Sequence, residues 1–244
     1  MSAPRTIALD GPAGAGKTSV ASAVARRLGY VFVDTGAFYR AVTFAALREG
    51  VIEDGAAAIT ALAQRLHLEI RPALEDTQTP YRIFCDGEDI TAALGEKRVE
   101  ARVSTVAAIP AVRVALDAAY RIIAAAHEKV IMAGRDIGTV VLPDADLKIY
   151  LDASLDVRAQ RRFRQSTSVQ SASATEGRTA TIDDTKHAIA GRDKLDSERA
   201  VAPLRPAEDA HHILTDALST EDVIAHVIAV IQAWAPKTAD DSRP

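Results

Sequence analysis

Three features of the sequence together predict an α/β fold with a central parallel sheet in three layers. Short apolar runs alternate with helically spaced apolar residues through the first seventy positions, and a glycine-rich loop joins the first strand to the first helix. Residues 67–94 break the alternation with two strand-like runs and no helix between them. The loop is Gly11-Pro12-Ala13-Gly14-Ala15-Gly16-Lys17-Thr18, directly after the apolar run Thr6–Leu9 and Asp10, and it fills every position of a G-x-x-x-x-G-K-[ST] phosphate loop. Glycine lets backbone N–H groups turn inward around phosphates, Lys17 supplies a point charge at the β- and γ-phosphates, and Thr18 offers a hydroxyl to Mg²⁺. A helix opening at Gly16 adds the positive end of its dipole. The chain is therefore expected to bind a nucleoside triphosphate.

The remaining elements follow in order. Thr18–Leu28 carries Val20, Ala21, Val24, Ala25 and Leu28 at helical spacing and stops at Gly29. Tyr30–Val33 reads as a second strand, and Ala37–Arg48 and Ala56–Leu66 as helices. Leu68–Arg71 and Tyr81–Cys85, separated by Pro72 and Pro80, cannot form a βαβ unit and predict a small antiparallel insertion. Helices are expected at Lys97–Ala107 and Ala111–His127, and core strands at Val130–Ala133 and Leu147–Leu151, whose carboxyl ends are where such sheets hold ligands. Ser154–Gln165 is an arginine-dense helix candidate. Ser166–Thr181 is rich in Ser, Thr, Ala and Gly and is expected to be mobile, because it offers too little apolar surface to offset its ordering entropy; its composition fits a lid, a linker or a surface loop equally. Ile182–Asp196 reads as a helix, His212–Leu214 as the last strand, and Thr220–Trp234 as a closing amphipathic helix capped by Ser219 or Thr220.

With 244 residues, 48% hydrophobic and 25% charged, the chain has the composition of an ordinary globular protein. A net charge of −4 argues against a nucleic-acid surface, yet arginines cluster at Arg158, Arg161, Arg162 and Arg164 and again at Arg192 and Arg199. Cations clustered in an acidic chain point to a small anionic ligand. Cys85 is the lone cysteine and reads as a buried apolar residue, which excludes an internal disulfide and suits a reducing cytoplasm. No apolar run approaches the ~20 residues of a membrane span, and no signal-peptide core precedes the loop.

Phosphate loops serve several reactions, and absences narrow the choice. Neither D-x-x-G nor N-K-x-D occurs, so a guanine-reading switch protein is excluded. Val130–Ala133 runs into Gly134-Arg135-Asp136 instead of ending directly in an aspartate, which departs from the motor-ATPase pattern. Asp34-Thr35-Gly-Ala-Phe-Tyr39-Arg40 follows the second strand and joins a hydroxyl, an aromatic ring and a guanidinium suited to a second phosphorylated ligand.

These segments carry a resemblance. Gly11–Thr18, Asp34–Arg40, Asp86-Gly-Glu-Asp-Ile90, Ala133–Asp144 (AGRDIGTVVLPD) and Gly191–Leu204 (GRDKLDSERAVAPL) resemble, in order, the motifs of bacterial cytidylate kinase, over about residues 5–232. The resemblance implies a P-loop NTPase three-layer fold in a single kinase domain over 1–234, with an NMP-binding insertion at 67–94, a lid region at 155–198 and a flexible tail at 235–244. It implies transfer of a phosphoryl group from ATP, with Mg²⁺, to CMP or dCMP by a cytoplasmic monomer that uses neither nucleic acid nor membrane. Gly11–Thr18 would hold ATP, with Thr18 on the metal, and Arg40, Arg135 and Arg199 would hold the CMP phosphate. Thr35 and Tyr39 would line that acceptor site, Ser104, Arg113 and Asp136 would read cytosine, and Arg192 and Asp196 would reach the ribose side. Lys17, Arg135, Arg158 and Arg162 would steady the transferring phosphoryl, and Asp34 would act through metal-bound water or orient the loop. A carboxylate such as Asp136 suits the N4 amino group of cytosine and opposes the carbonyl of uracil on independent chemical grounds. Two departures stand out: Gly95-Glu96 replaces the family's usual Arg-Thr, and Gln165–Thr181 is unlike the family's lid, so closure or donor preference is expected to differ. Another small-molecule P-loop kinase, and a nucleotide sensor that does not catalyse transfer, remain open alternatives.

Overall fold

The computed structural model describes residues 3–73, 79–170 and 181–236. Its centre is β1 (Thr6–Asp10), which pairs in parallel with β6 (Val130–Ala133) on one side and β7 (Leu147–Asp152) on the other. β2 (Val31–Asp34) and β8 (His211–Leu214) complete a parallel sheet of order β2-β6-β1-β7-β8. Ile7, Ala8 and Leu9 are all fully buried, as a central parallel strand covered on both faces requires.

The two faces separate by alternation along the strands. Ile7, Leu9 and Ile131 pack with α1 (Lys17–Leu28) and α8 (Thr220–Ala233) through Val20, Val24, Val223 and Val227. Ala8, Val130 and Met132 face the opposite layer, built from α2 (Thr35–Arg48), α3 (Ala56–Arg65), α4 (Lys97–Ala107) and α5 (Pro110–Ala126). The predicted three layers are thus present, and the carboxyl ends of β1, β2 and β6 bring Asp10, Asp34 and Ala133 to one edge.

The insertion is an antiparallel sheet of β3 (Leu68–Pro72), β4 (Tyr81–Cys85) and β5 (Glu88–Asp89). Its third strand escaped the sequence reading because only two residues pair. The turn that makes it, Asp86-Gly87, has φ of 51° and 85°, the left-handed pair that a tight hairpin demands. Cys85 is fully buried, and burial pushes its thiol pKa up.

Several boundaries shift from expectation. α2 opens at Thr35, two residues before the expected Ala37, and α5 opens on Pro110, which suits the first helical position. α6 (Leu155–Gln170) runs five residues past Gln165, because a nucleated helix propagates through Ser and Thr at small cost per residue. The expected loop over 166–181 is therefore helical in its first five positions, while 171–180 lie outside the described residues, as does the tail from 237. α7 (Ile182–Glu198) starts from a Thr181–Asp184 capping box, and α8 from a Ser219–Asp222 box, which selects Ser219 over Thr220 as the cap. Among the described residues, no helix is long and apolar enough to cross a membrane.

Gly11 shows why the loop needs its first glycine. Its φ is +151°, and a Cβ there would lie 2.0 Å from the Leu151 carbonyl oxygen. Gly11→Ala is expected to cost about 3 kcal/mol or more by thermal unfolding. Gly95→Ala, where a Cβ meets open space, is expected to change stability by no more than ~0.5 kcal/mol.

Candidate active site

The phosphate loop closes around its own lysine. Gly14 and Gly16 take φ of 80° and 90°, and Lys17 at the start of α1 turns back so that its Nζ donates to the Pro12 carbonyl at 2.7 Å. Burial, with Arg135 nearby, pulls the Lys17 pKa well below the usual lysine range. An anion in the loop would favour its charged form. Thr18 Oγ1 donates at 2.8 Å to Asp34 Oδ2, at the end of β2, and the same oxygen accepts from the Tyr81 hydroxyl of the insertion at 3.2 Å.

Asp10 joins this loop to the second half of the site. Its carboxylate accepts from the Ile137 N–H at 2.9 Å and the Gly138 N–H at 2.8 Å. Those two residues open a single π-helical turn, Ile137–Val141, a form that recurs at functional sites. The turn follows Gly134-Arg135-Asp136 and holds both charged side chains in the site. Asp136 meets Arg113 Nη2 in a buried ion pair, and its other oxygen accepts from Arg199 Nη2 at 3.2 Å. Arg135 Nε donates to Asp196 Oδ2 at 2.9 Å, and Arg199 Nη1 lies 3.8 Å from Asp196 Oδ1. Burial draws the Arg113 pKa down, but Tyr39 and Asp136 more than offset it, so its net shift is upward. Burial, with Arg135 beside it, lowers Arg192 to about 10.

The helices after β7 bring three further groups. Arg158 donates to the carbonyls of Ala153 at 2.9 Å and Ala13 at 3.0 Å and pairs with Asp193 at 2.5 Å. Asp193 also accepts from the Ala13 N–H of the phosphate loop at 3.4 Å. Arg162 pairs with Glu100 of α4, and Arg40 donates to the Leu94 carbonyl at 3.0 Å.

Nearly all the expected residues therefore converge on one edge of the sheet. Thr35 is committed to the fold, its hydroxyl donating to the Ala133 carbonyl at 2.9 Å, and Ser104 is half-buried on α4. Four buried polar atoms among the described residues have no partner: Tyr39 Oη, Arg113 Nε, Arg192 Nε and Asp117 Oδ1. Three belong to residues expected at the acceptor, and buried polar atoms left open in a well-packed chain mark a place for a ligand. The Thr18 and Asp34 oxygens suit Mg²⁺, which takes one or two protein ligands with substrate phosphates supplying others.

Asp10, Asp193, Glu100, Tyr81 and Asp117 were missed. Asp10 carried a signal, a carboxylate at the end of the strand that enters the loop, and Asp193 lay inside the quoted Gly191–Leu204 block. The other three had none, because the partners of Tyr81 and Glu100 are 47 or more residues away and the Asp117 Oδ1 has no hydrogen-bond partner.

Burial raises Asp10 from 3.8 to about 6, against the lowering effect of the two N–H donors. Between those values the folded protein keeps a proton that the unfolded chain releases, so this contribution to stability is present at low pH and is lost as pH rises through 6. Asp10→Asn removes it. The stability of wild type relative to the variant, from urea midpoints, is expected to shrink by about 2 kcal/mol between pH 4.5 and 7.

Comparison with known proteins agrees with this geometry. The cytidylate kinase family model matches residues 7–233. The chain is 43% identical over 226 residues to a cytidylate kinase from Exiguobacterium sp., covering 93% of this chain and 96% of that one. It is 41% identical to a cytidylate kinase from Geobacillus sp., covering 92% and 95%, and 41% identical to one from Corynebacterium efficiens, covering 95% and 96%. A site with a phosphate loop, a buried aspartate between two arginines and a family match over nearly the whole length leads to one conclusion: the chain belongs to the cytidylate kinase family.

Proposed function

We propose that the protein transfers the γ-phosphoryl of ATP to CMP or dCMP, giving ADP and CDP or dCDP. The observation that carries this reading is Asp136, a buried carboxylate held by Arg113 on one oxygen and Arg199 on the other, beside buried donors with no partner. Such a carboxylate accepts from the cytosine N4 amino group and repels the O4 of uracil. Ser104 and Arg113 complete the base contacts in this reading. Arg192 and Asp196 face the ribose, and Thr35 and Tyr39 line the acceptor site.

Arg40, Arg135 and Arg199 hold the acceptor phosphate, since planar guanidinium donors meet phosphate oxygens in pairs. Gly11–Thr18 hold the ATP phosphates through backbone N–H groups. Phosphoryl transfer needs alignment and charge neutralisation rather than a covalent nucleophile, and Lys17, Arg135, Arg158 and Arg162 provide both. Thr18, with Asp34, would hold Mg²⁺, which would supply charge neutralisation at the donor phosphates. The 155–198 segment serves as lid, 67–94 as the acceptor-side insertion, and 1–234 as one kinase domain. Cytoplasmic location is supported by the buried Cys85, and a monomer by resemblance alone.

Measuring ADP formation with CMP, dCMP, UMP and AMP separately tests the reading. Turnover on CMP and dCMP with UMP and AMP far behind is expected, and a preference for another acceptor overturns it. Asp136→Asn is expected to lower kcat/KM for CMP by about 100-fold or more and to narrow the CMP-to-UMP ratio. Arg135→Ala is expected to lower turnover on the order of 10³-fold while ATP affinity, measured by calorimetry, stays within about threefold.

A further inference from the structure

Glu100 is an acidic side chain placed among cations assigned to phosphate. It lies on α4, one turn before Ser104, and its Oε1 accepts from Arg162 Nη2. The same oxygen is 3.8 Å from Arg40 Nη2. Arg192, half-buried with its own buried Nε open, is also drawn electrostatically toward Glu100. One carboxylate oxygen shared by two guanidiniums, one from α2 and one from α6, is the environment that a phosphate oxygen seeks. Glu100 and Arg162 are each 42% exposed. An ion pair so open to water adds little to the fold and is readily exchanged.

We propose that Glu100 is an internal occupant of the acceptor-phosphate position, displaced when the phosphate of CMP arrives. This rests on the assignment of Arg40 and Arg162 to phosphate made above. The dianionic phosphate outcompetes one carboxylate for Arg40, and like-charge repulsion drives Glu100 outward, where its half-exposed side chain has room to turn. Displacement frees Arg162 from Glu100, so arrival of the acceptor phosphate releases a cation needed at the transferring group. A nucleoside without its phosphate has nothing to exchange with Glu100 and leaves Arg162 tied.

Calorimetric titration of CMP and of cytidine into wild type, Glu100→Gln, Glu100→Ala and Arg40→Ala, without donor nucleotide, tests this. Both Glu100 variants are expected to bind CMP three- to tenfold more tightly, with cytidine affinity changed less than twofold, and Arg40→Ala to weaken CMP at least tenfold. If Arg40→Ala weakens CMP but the Glu100 variants leave it unchanged or weaker, Glu100 organises Arg40 rather than competing for it, and the inference falls while the site assignment stands. Equal tightening of cytidine also overturns it, because the pocket has then been reshaped without regard to phosphate. Unchanged CMP affinity in Arg40→Ala removes the phosphate assignment and the inference together.

Discussion

The gathering of arginines around buried carboxylates at the end of the sheet constrains everything around it. Asp136 and Asp196 supply two carboxylates to Arg113, Arg135 and Arg199, three guanidiniums, and Arg192 stands beside them with its Nε open. Guanidinium cannot escape burial by losing its proton, so each must find an anion or a carbonyl. Lys17 differs, and its pKa falls in the same surroundings, burial being the larger cause and Arg135 the next. Buried donors left open beside these ion pairs suit an anion from outside.

That cluster stays in register with the donor loop through Asp10. β1 ends in the carboxylate that fixes the Ile137 and Gly138 amides, and the next residue opens the phosphate loop. Donor and acceptor halves thus hang from adjacent strands through two short hydrogen bonds rather than through a long chain of packing. The wide π turn is accommodated because Gly138 is small: a Cβ there would press on Lys148 at 3.1 Å. Gly134 likewise lies where a Cβ would meet Thr35 Oγ1 at 2.7 Å, which explains a glycine between β6 and Arg135.

How much of this was legible follows from the range of each interaction. Strand and helix identities could be read because both faces of the parallel sheet are buried, making Ile7–Leu9 and Val130–Ala133 continuous apolar runs and leaving Leu147–Leu151 apolar but for Lys148. The phosphate loop could be read because its chemistry lies within eight consecutive residues. β5 could not, since two residues carry no periodicity, nor could the π turn, since its cause is Asp10, 127 residues away. Thr35 is a hydroxyl in a motif suited to a ligand, and its donation to the Ala133 carbonyl, 98 residues away, is an engagement the motif does not report. Local sequence reports which groups are present, and only the fold reports which are already engaged.

The protein's own carboxylates follow one rule at both ends of the site. Asp193 reaches from α7 to Arg158 and to the Ala13 N–H of the phosphate loop, while Glu100 reaches from α4 to Arg162 and toward Arg40. In each case a carboxylate pairs with an arginine assigned to phosphate. A site that gathers the four phosphate groups of the proposed reaction cannot leave its arginines bare, because unpaired cations in a partly dry cleft repel one another and cost more than any single contact returns. Glu100, half-exposed, is the carboxylate placed to exchange, since exposed ion pairs are weak, whereas the mostly buried Arg158–Asp193 pair holds more firmly. The cost is affinity and the gain is order: cations already gathered by borrowed anions need only exchange partners when substrate phosphates arrive.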